Sequence, residues 1–251
     1  RQYTLHRGRR ETLISLFERE FVESQEALGM HVLGTFRDLD AMDRFVWLRG
    51  FRDMDLRPRA LAAFYDGPVW RAHRDEANAT MVDSDDVLLL RPLHPSLAFG
   101  AGPPARAPIG DAGNAPGVVT VTIGLLDAPA HACGLDALVR LQVAPLLAHL
   151  GARVAAGLVT EPRTNNYPRL PVREGVNALV WVCVFDDDAA LRAHVEARKA
   201  SPSWRDEILP ALQRHLRAPL KTLRLAPTAR SALHARAASP ALSTVPTKEI
   251  A

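Results

Sequence analysis

Arg49 interrupts an otherwise apolar run, Phe45-Val46-Trp47-Leu48-Arg49-Gly50-Phe51, and Arg74 stands one helical turn beyond Trp70. A guanidinium among apolar groups costs free energy unless it is paired or holds a ligand. Arg49 and Arg74 are therefore candidate anchors for a carboxylate or an enolate, with Trp47, Trp70 and Tyr65 as the apolar walls of a substrate site. His73, next to Arg74, is the candidate catalytic residue, because an imidazole titrates near neutral pH and can act as a general base. The competing expectation is that both arginines reach water along their aliphatic stems or pair with Asp53, Asp75 or Glu76. In that case His73 lies on a helix surface and Trp47 is packing.

Other residue types point to no further chemistry. Cys133 and Cys183 stand fifty positions apart in no C-x-x-C or Cys/His cluster, which predicts neither a zinc site nor a disulfide framework. The acidic group Asp83-Ser84-Asp85-Asp86 sits where a helix is expected to turn into a strand, and its residue types suit that turn better than a metal site. His31 is expected to be an exposed strand end. Glycine-rich phosphate loops and G-x-S-x-G elbows are absent, so no cofactor is predicted. The 31 basic residues are nearly balanced by 28 acidic ones and are scattered, which argues against a nucleic-acid partner. No apolar run is long enough to cross a bilayer, and no basic-then-apolar leader opens the chain, so a cytoplasmic protein is expected. The Arg- and Ala-rich composition fits a high-GC bacterial source.

An internal repeat organises the chain. Trp47 falls on Trp181 and Phe51 on Phe185 at an offset of 134 (181 − 47), and Pro68-Val69-Trp70-Arg71 falls on Pro202-Ser203-Trp204-Arg205 at the same offset. The closing runs Val87 to Arg91 and Lys221 to Leu225 also keep it. Upstream the offset is 122, pairing Leu28-Gly29 with Leu150-Gly151, so a twelve-residue insertion lies between Glu161 and Asn177. The repeat supplies a control: Arg49 is opposite Cys183, Arg74 opposite Ile208, His73 opposite Glu207 and Asn78 opposite Leu212.

Hydrophobic spacing predicts strands at Tyr3 to Leu5, Met30 to Arg37, Arg44 to Phe51 and Ser84 to Pro92. Helices are expected over Gly8 to Leu28 and Arg59 to Val82, the latter interrupted at Gly67-Pro68. The second copy repeats the βαββαβ order over Val118 to Ala226. Such a unit has both helices on one sheet face, and strands apolar on both faces, such as Val180-Trp181-Val182-Cys183-Val184, demand a cover for the other. The expected fold is thus α+β, two tandem βαββαβ ferredoxin-like units packed sheet to sheet. The expected domains are 1–92 and 117–227, joined by a Pro/Gly/Ala-rich linker at 93–116 and followed by a tail at 228–251, disordered or draped over a partner.

The motifs at Phe45 to Phe51, Ala62-Ala63-Phe64-Tyr65 and Pro68-Val69-Trp70, with Arg1-Gln2-Tyr3-Thr4-Leu5 and Leu28-Gly29, make the first 92 residues resemble the NIPSNAP family. In the second copy the resemblance persists as Trp181, Pro202 and Trp204. It implies a dimeric α+β barrel, here with both halves fused in one chain. Wider relatives include cofactor-independent oxygenases, haem-degrading enzymes and ligand-binding proteins, and the family brings no settled catalytic motif. Two functions stay open: binding of a small, partly apolar, acidic or enolisable compound, with oxygenase or isomerase chemistry, or a non-catalytic interaction protein. The 161–177 arm and the tail are the candidate contacts of a homo-oligomer.

Overall fold

The computed structural model describes residues 1–100 and 106–235. Strand β1 (Gln2–Leu5) leads into helix α1 (Arg10–Leu16), which passes through a π-helical turn (Phe17–Phe21) into α2 (Val22–Glu26). Strands β2 (Met30–Asp38) and β3 (Arg44–Phe51) follow, then α3 (Arg57–Tyr65), α4 (Pro68–Asn78), β4 (Met81–Asp86) and β5 (Leu90–Pro92). The second unit runs β6 (Val118–Leu126), α5 (Leu135–Leu138), a π turn (Val139–Val143), α6 (Ala144–His149), β7 (Arg153–Thr160) and β8 (Asn177–Phe185). It ends with α7 (Asp188–Ala200), a third π turn (Ser203–Ile208), α8 (Leu209–Gln213) and β9 (Lys221–Pro227). Gly29 and Gly151 stop the first helix of each unit at φ +80 and +91, a conformation that costs glycine little and other residues more.

The strands form one antiparallel sheet in the order β4-β1-β3-β2-β9-β6-β8-β7-β5. Since only residues 87–89 separate β4 from β5, the chain itself joins the two ends of this row, and the sheet closes as a barrel. Residues 87–89 help the closure: Arg173 N donates to Val87 O at 2.8 Å and Glu161 N to Leu89 O at 2.9 Å. The bare faces of the two units meet inside, where Phe36, Val46, Val121, Ile123, Val180, Val182 and Leu225 pack together. Outside, each unit holds a helix layer of its own, around Trp47 in the first and Trp181 in the second, each 2% exposed. Burial of three such clusters is the main driving force for the fold.

The halves repeat in detail. The π turn at Phe17–Phe21 recurs 122 residues later at Val139–Val143, and the bulge between Val32 and Gly34 recurs between Val154 and Ala156. Two seams join the units. At one, Phe36 pairs with Pro227 and Asp38 with Leu225; at the other, Leu158 pairs with Pro92 and Thr160 with Leu90. The closing strands therefore correspond at an offset of 135 (227 − 92), one residue beyond the 134 expected from sequence.

Several expectations need correction. The group Asp83 to Asp86 lies within β4 rather than in a turn, on a strand whose pairing with β1 shifts register twice. Short edge strands of this irregular kind tolerate charge because one side faces water. The segment after β5 is a built part of the second unit: a 3-10 turn (Pro95–Leu97) places Leu97 against the second helix layer, and Phe99 reaches the barrel interior. Residues 101–105 of the expected linker lie outside the described residues. The tail begins as structure too. Thr228 is fully buried, its backbone N–H donating to Thr35 O at 2.9 Å, and Ala235 N donates to Pro116 O at 2.9 Å. The rest of the expected tail, 236–251, lies outside the described residues. The 161–177 arm lies over the helix layer of the first unit, where Tyr167 and Leu170 pack.

Candidate functional site

Strand alternation places Phe45, Trp47, Arg49 and Phe51 on the helix-facing side of β3, so the candidate site is between sheet and helices, not in the barrel. Arg49 is half-buried. Its guanidinium carbon lies 4.8 Å from the centre of the Trp47 ring, 5.4 Å from that of Phe51 and 5.9 Å from that of Tyr65. Its Nη1 donates to Gln25 Oε1 at 2.8 Å. Gln25, on α2, is 1% exposed and anchors its own amide by donating to Phe21 O at 2.7 Å. A cation over three ring faces, with one neutral acceptor, is partly compensated for lost water, but its charge is not neutralised.

A second arginine shares this wall. Arg57, at the start of α3, is 2% exposed, and its guanidinium carbon is 5.7 Å from the centre of the same Phe51 ring. Its Nη1 donates to Asn165 Oδ1 at 2.9 Å and to Asn166 Oδ1 at 2.8 Å, both on the arm, while its Nε has no partner. Burial, and then the charges of Arg49 and Arg1, push its pKa down to about 10. Neither Arg49 nor Arg57 has a carboxylate within ion-pair distance among the described residues.

The other predicted residues are divided. Trp47 and Tyr65 are walls of Arg49. Trp70 stands one layer away, against Tyr65 at 4.9 Å, Phe21 at 5.6 Å and Phe64 at 5.9 Å. His73 faces α1 and its π turn, with Nε2 3.5 Å from Glu20 Oε2 and its ring beside Phe21. Arg74 points to solvent, its side chain 54% exposed and Nε 3.4 Å from Asp75 Oδ1. The contrast with buried Ile208 misled here because the second unit reaches that position through a π turn, which rotates the following side chains relative to the all-α α4. His31 is exposed on β2.

Two spaces adjoin the arginines. A void of about 30 Å³, bordered by Gln25, Trp47, Tyr65 and Trp70, has room for one water-sized group and touches the side of the layer where Trp47 Nε1 is buried without a partner. An open groove of about 290 Å³ lies between the end of α2 and α3, lined by Leu28, Gly29, Phe51, Arg52, Leu56, Arg59, Ala60 and Ala63. Phe51 thus borders both the groove and two guanidinium groups that have no carboxylate partner among the described residues. Among the described residues no group of three or more His, Cys, Asp or Glu gathers to hold a metal, and no helix is long and apolar enough to cross a membrane.

Gln25 and Arg57 escaped the reading of the sequence, although the repeat could have found them. At the offset of 122 Gln25 falls on Leu147, and at 134 Arg57 falls on Leu191, both buried apolar residues. The second unit is not without a cation at this layer: Arg198 rests over Trp204 at 5.0 Å, supplied by the helix at the place of Phe64. Cys183, opposite Arg49, is a buried thiol whose pKa burial pushes up to about 12, so it is a neutral packing group.

Comparison with solved structures shows where this fold recurs. A candidate monooxygenase from Lactobacillus acidophilus NCFM superposes with a TM-score of 0.54 at 14% identity, over 92% of this chain and 93% of its own. A second, from Fusobacterium nucleatum subsp. nucleatum, gives 0.52 at 10% identity, over 91% of each chain. At these identities the likeness is one of fold, and it spans both units. No curated protein sequence matches the chain. The family model of NIPSNAP matches residues 1–97, the first unit of this barrel, which contain Gln25, Arg49 and Arg57.

Proposed function

We propose that the first unit binds a small, partly apolar acidic or enolisable compound, with Arg49 holding the anionic group and Trp47, Phe51 and Tyr65 as walls. The observation that carries this reading is that Arg49 is half-buried on three aromatic rings with a neutral amide as its only hydrogen-bond acceptor among the described residues. A cation so placed gains most from an incoming anion. The groove of about 290 Å³ on the other side of Phe51 is close to the size of ordinary ligand sites and offers an apolar bed for the rest of the molecule once that ring turns aside.

Likeness to candidate monooxygenases keeps cofactor-independent oxygenase chemistry within this proposal, as one fate of an enolisable ligand. His73 is the weak member, since its imidazole faces Glu20 rather than Arg49. Binding is therefore the part of the function the geometry supports best.

The test is calorimetric titration of the full chain with 3-phenylpropionate, an apolar monoacid, together with native mass spectrometry of protein from its own source. The expected result is saturable binding, and a co-purifying acid, both lost when Arg49→Cys and Gln25→Leu are combined. An empty protein that binds no acid, yet runs as a stable oligomer, would favour the interaction-protein reading instead.

A further inference from the structure

Arg57 is a buried cation whose nearest acceptors are two amide oxygens carried by a surface arm. The arm, residues 161–177, is the one long insertion of the second unit, and it reaches across to the first unit to place Asn165 and Asn166 there. Two guanidinium groups on one Phe51 ring repel each other, so a ligand that neutralises only Arg49 leaves Arg57 uncompensated. An amide oxygen is a weak substitute for a carboxylate oxygen, which makes charge-assisted and shorter hydrogen bonds.

Resting on the reading of Arg49 as an acid anchor, we propose that Arg57 is a second anion-binding residue of the same site. The ligand is then an apolar diacid, and the part of the arm between Glu161 and Arg173, which are themselves hydrogen-bonded to the barrel at Leu89 and Val87, is the gate it displaces, Asn165 and Asn166 standing in for its second acidic group in the closed state. The contacts that hold the arm suit a gate. Arg169 pairs with Asp66 at 2.6 Å and Arg163 with Asp55 at 3.5 Å, all more than half exposed, so each pair exchanges readily with water. Tyr167 stacks on Tyr65, with ring centres 6.3 Å apart, and Asn166 Nδ2 donates to Met54 O at 2.5 Å. Tyr65 is also a wall of Arg49, so displacement of the arm exposes both arginines together. The unpartnered Nε of Arg57 gives it a free donor for an arriving carboxylate.

The experiment compares phenylsuccinate, a diacid, with 3-phenylpropionate, a monoacid of like body, by calorimetry and by stopped-flow tryptophan fluorescence on the full chain. We expect the diacid to bind the wild-type protein about tenfold more tightly or better, and Arg57→Gln to remove that preference, so that the two acids bind the variant about equally. The double variant Asn165→Ala/Asn166→Ala, which removes the two acceptors of Arg57, should speed association of the diacid about tenfold. Monoacid binding that depends on Arg49 without any preference for the diacid would overturn this inference and leave the proposed function standing. Unchanged association in the arm variant would overturn the gate. Failure of either acid to bind any form would remove the reading of Arg49 itself, and this inference with it.

Discussion

Arg49 Nη1 donates to Gln25 Oε1 at 2.8 Å, and the second unit replaces both members of the pair at once, with Cys183 and Leu147. A strand residue and a helix residue thus change together from polar to apolar across the same gap. Gln25 is 1% exposed, and Leu147 and Cys183 are 1% and 2% exposed, so each version is a closed solution to packing that layer. What differs is that only the first places a cation in this gap between strand and helix.

That relationship predicts a coupled effect on stability. Arg49→Cys alone strands a buried amide oxygen and should cost about 1–3 kcal/mol. Gln25→Leu alone strips Arg49 of its acceptor. The combined variant restores the apolar pair of the second unit and should lie within about 1 kcal/mol of wild type, by urea denaturation. Additive losses in the double variant would mean that the two residues act independently.

The architecture was largely legible because hydrophobic period and helix-stopping glycines carry it. Gly29 and Gly151, the Trp47/Trp181 pair and the apolar strand 180–184 suffice to lay out two βαββαβ units. The site was legible only where the strand pattern spoke. Arg49 broke an apolar strand and so drew notice, whereas Arg57 sits near a helix start, where a charged residue looks ordinary, and its burial comes from an arm more than 100 residues away. Arg74 failed for the opposite reason, since a π turn in one unit changes helical phase and no periodicity announces it.

His194 should make stability pH-dependent near neutrality. It is 4% exposed on α7, and its pKa is lowered chiefly by burial, against a raising contribution from its hydrogen bond to Leu150 O at 2.9 Å. The unfolded chain therefore takes up a proton at higher pH than the folded one. Its contribution is complete above the unfolded value of about 6.5 and is lost as pH falls below that, with half-buried His234 acting in the same sense. The melting temperature should drop between pH 7 and pH 5, and His194→Gln should flatten the slope. Glu11 and Glu23, lowered by Arg37 and Arg230, act at more acid pH, below their ordinary value. An unchanged slope in the variant would assign the transition to another group.

Gly117 should not accept a side chain. Its φ is +93, and a Cβ there would lie 2.5 Å from both Ala235 Cβ and Phe185 O. Gly117→Ala should cost about 2 kcal/mol or more, combining strain with overlap that displacement of the tail relieves only in part, since Phe185 O belongs to the β8 backbone. Gly110, at φ +96 but in open space, isolates the backbone component, and Gly110→Ala should cost about 1 kcal/mol. Equal losses would show that both the tail at Ala235 and the β8 backbone at Phe185 yield freely.

Arg230 should matter far more than its place near the end of the described chain suggests. It is 4% exposed; its Nε donates to Ala107 O at 2.9 Å, its Nη1 donates to Glu18 O, and it pairs with Glu23. Beside it, the Glu18 carboxylate is 7% exposed and accepts from Thr228 Oγ1 at 2.5 Å and from Arg230 N at 3.0 Å. Arg230→Met removes the side-chain donor to Glu18 O and to part-buried Ala107 O, leaves Glu23 unpaired, and should cost about 2 kcal/mol. Arg224→Ala, which breaks an exposed pair with Asp40, should cost less than about 1 kcal/mol. Chemical denaturation of the two variants decides the matter, because a buried strap predicts a clear gap between them, whereas a tail merely resting on the surface predicts none.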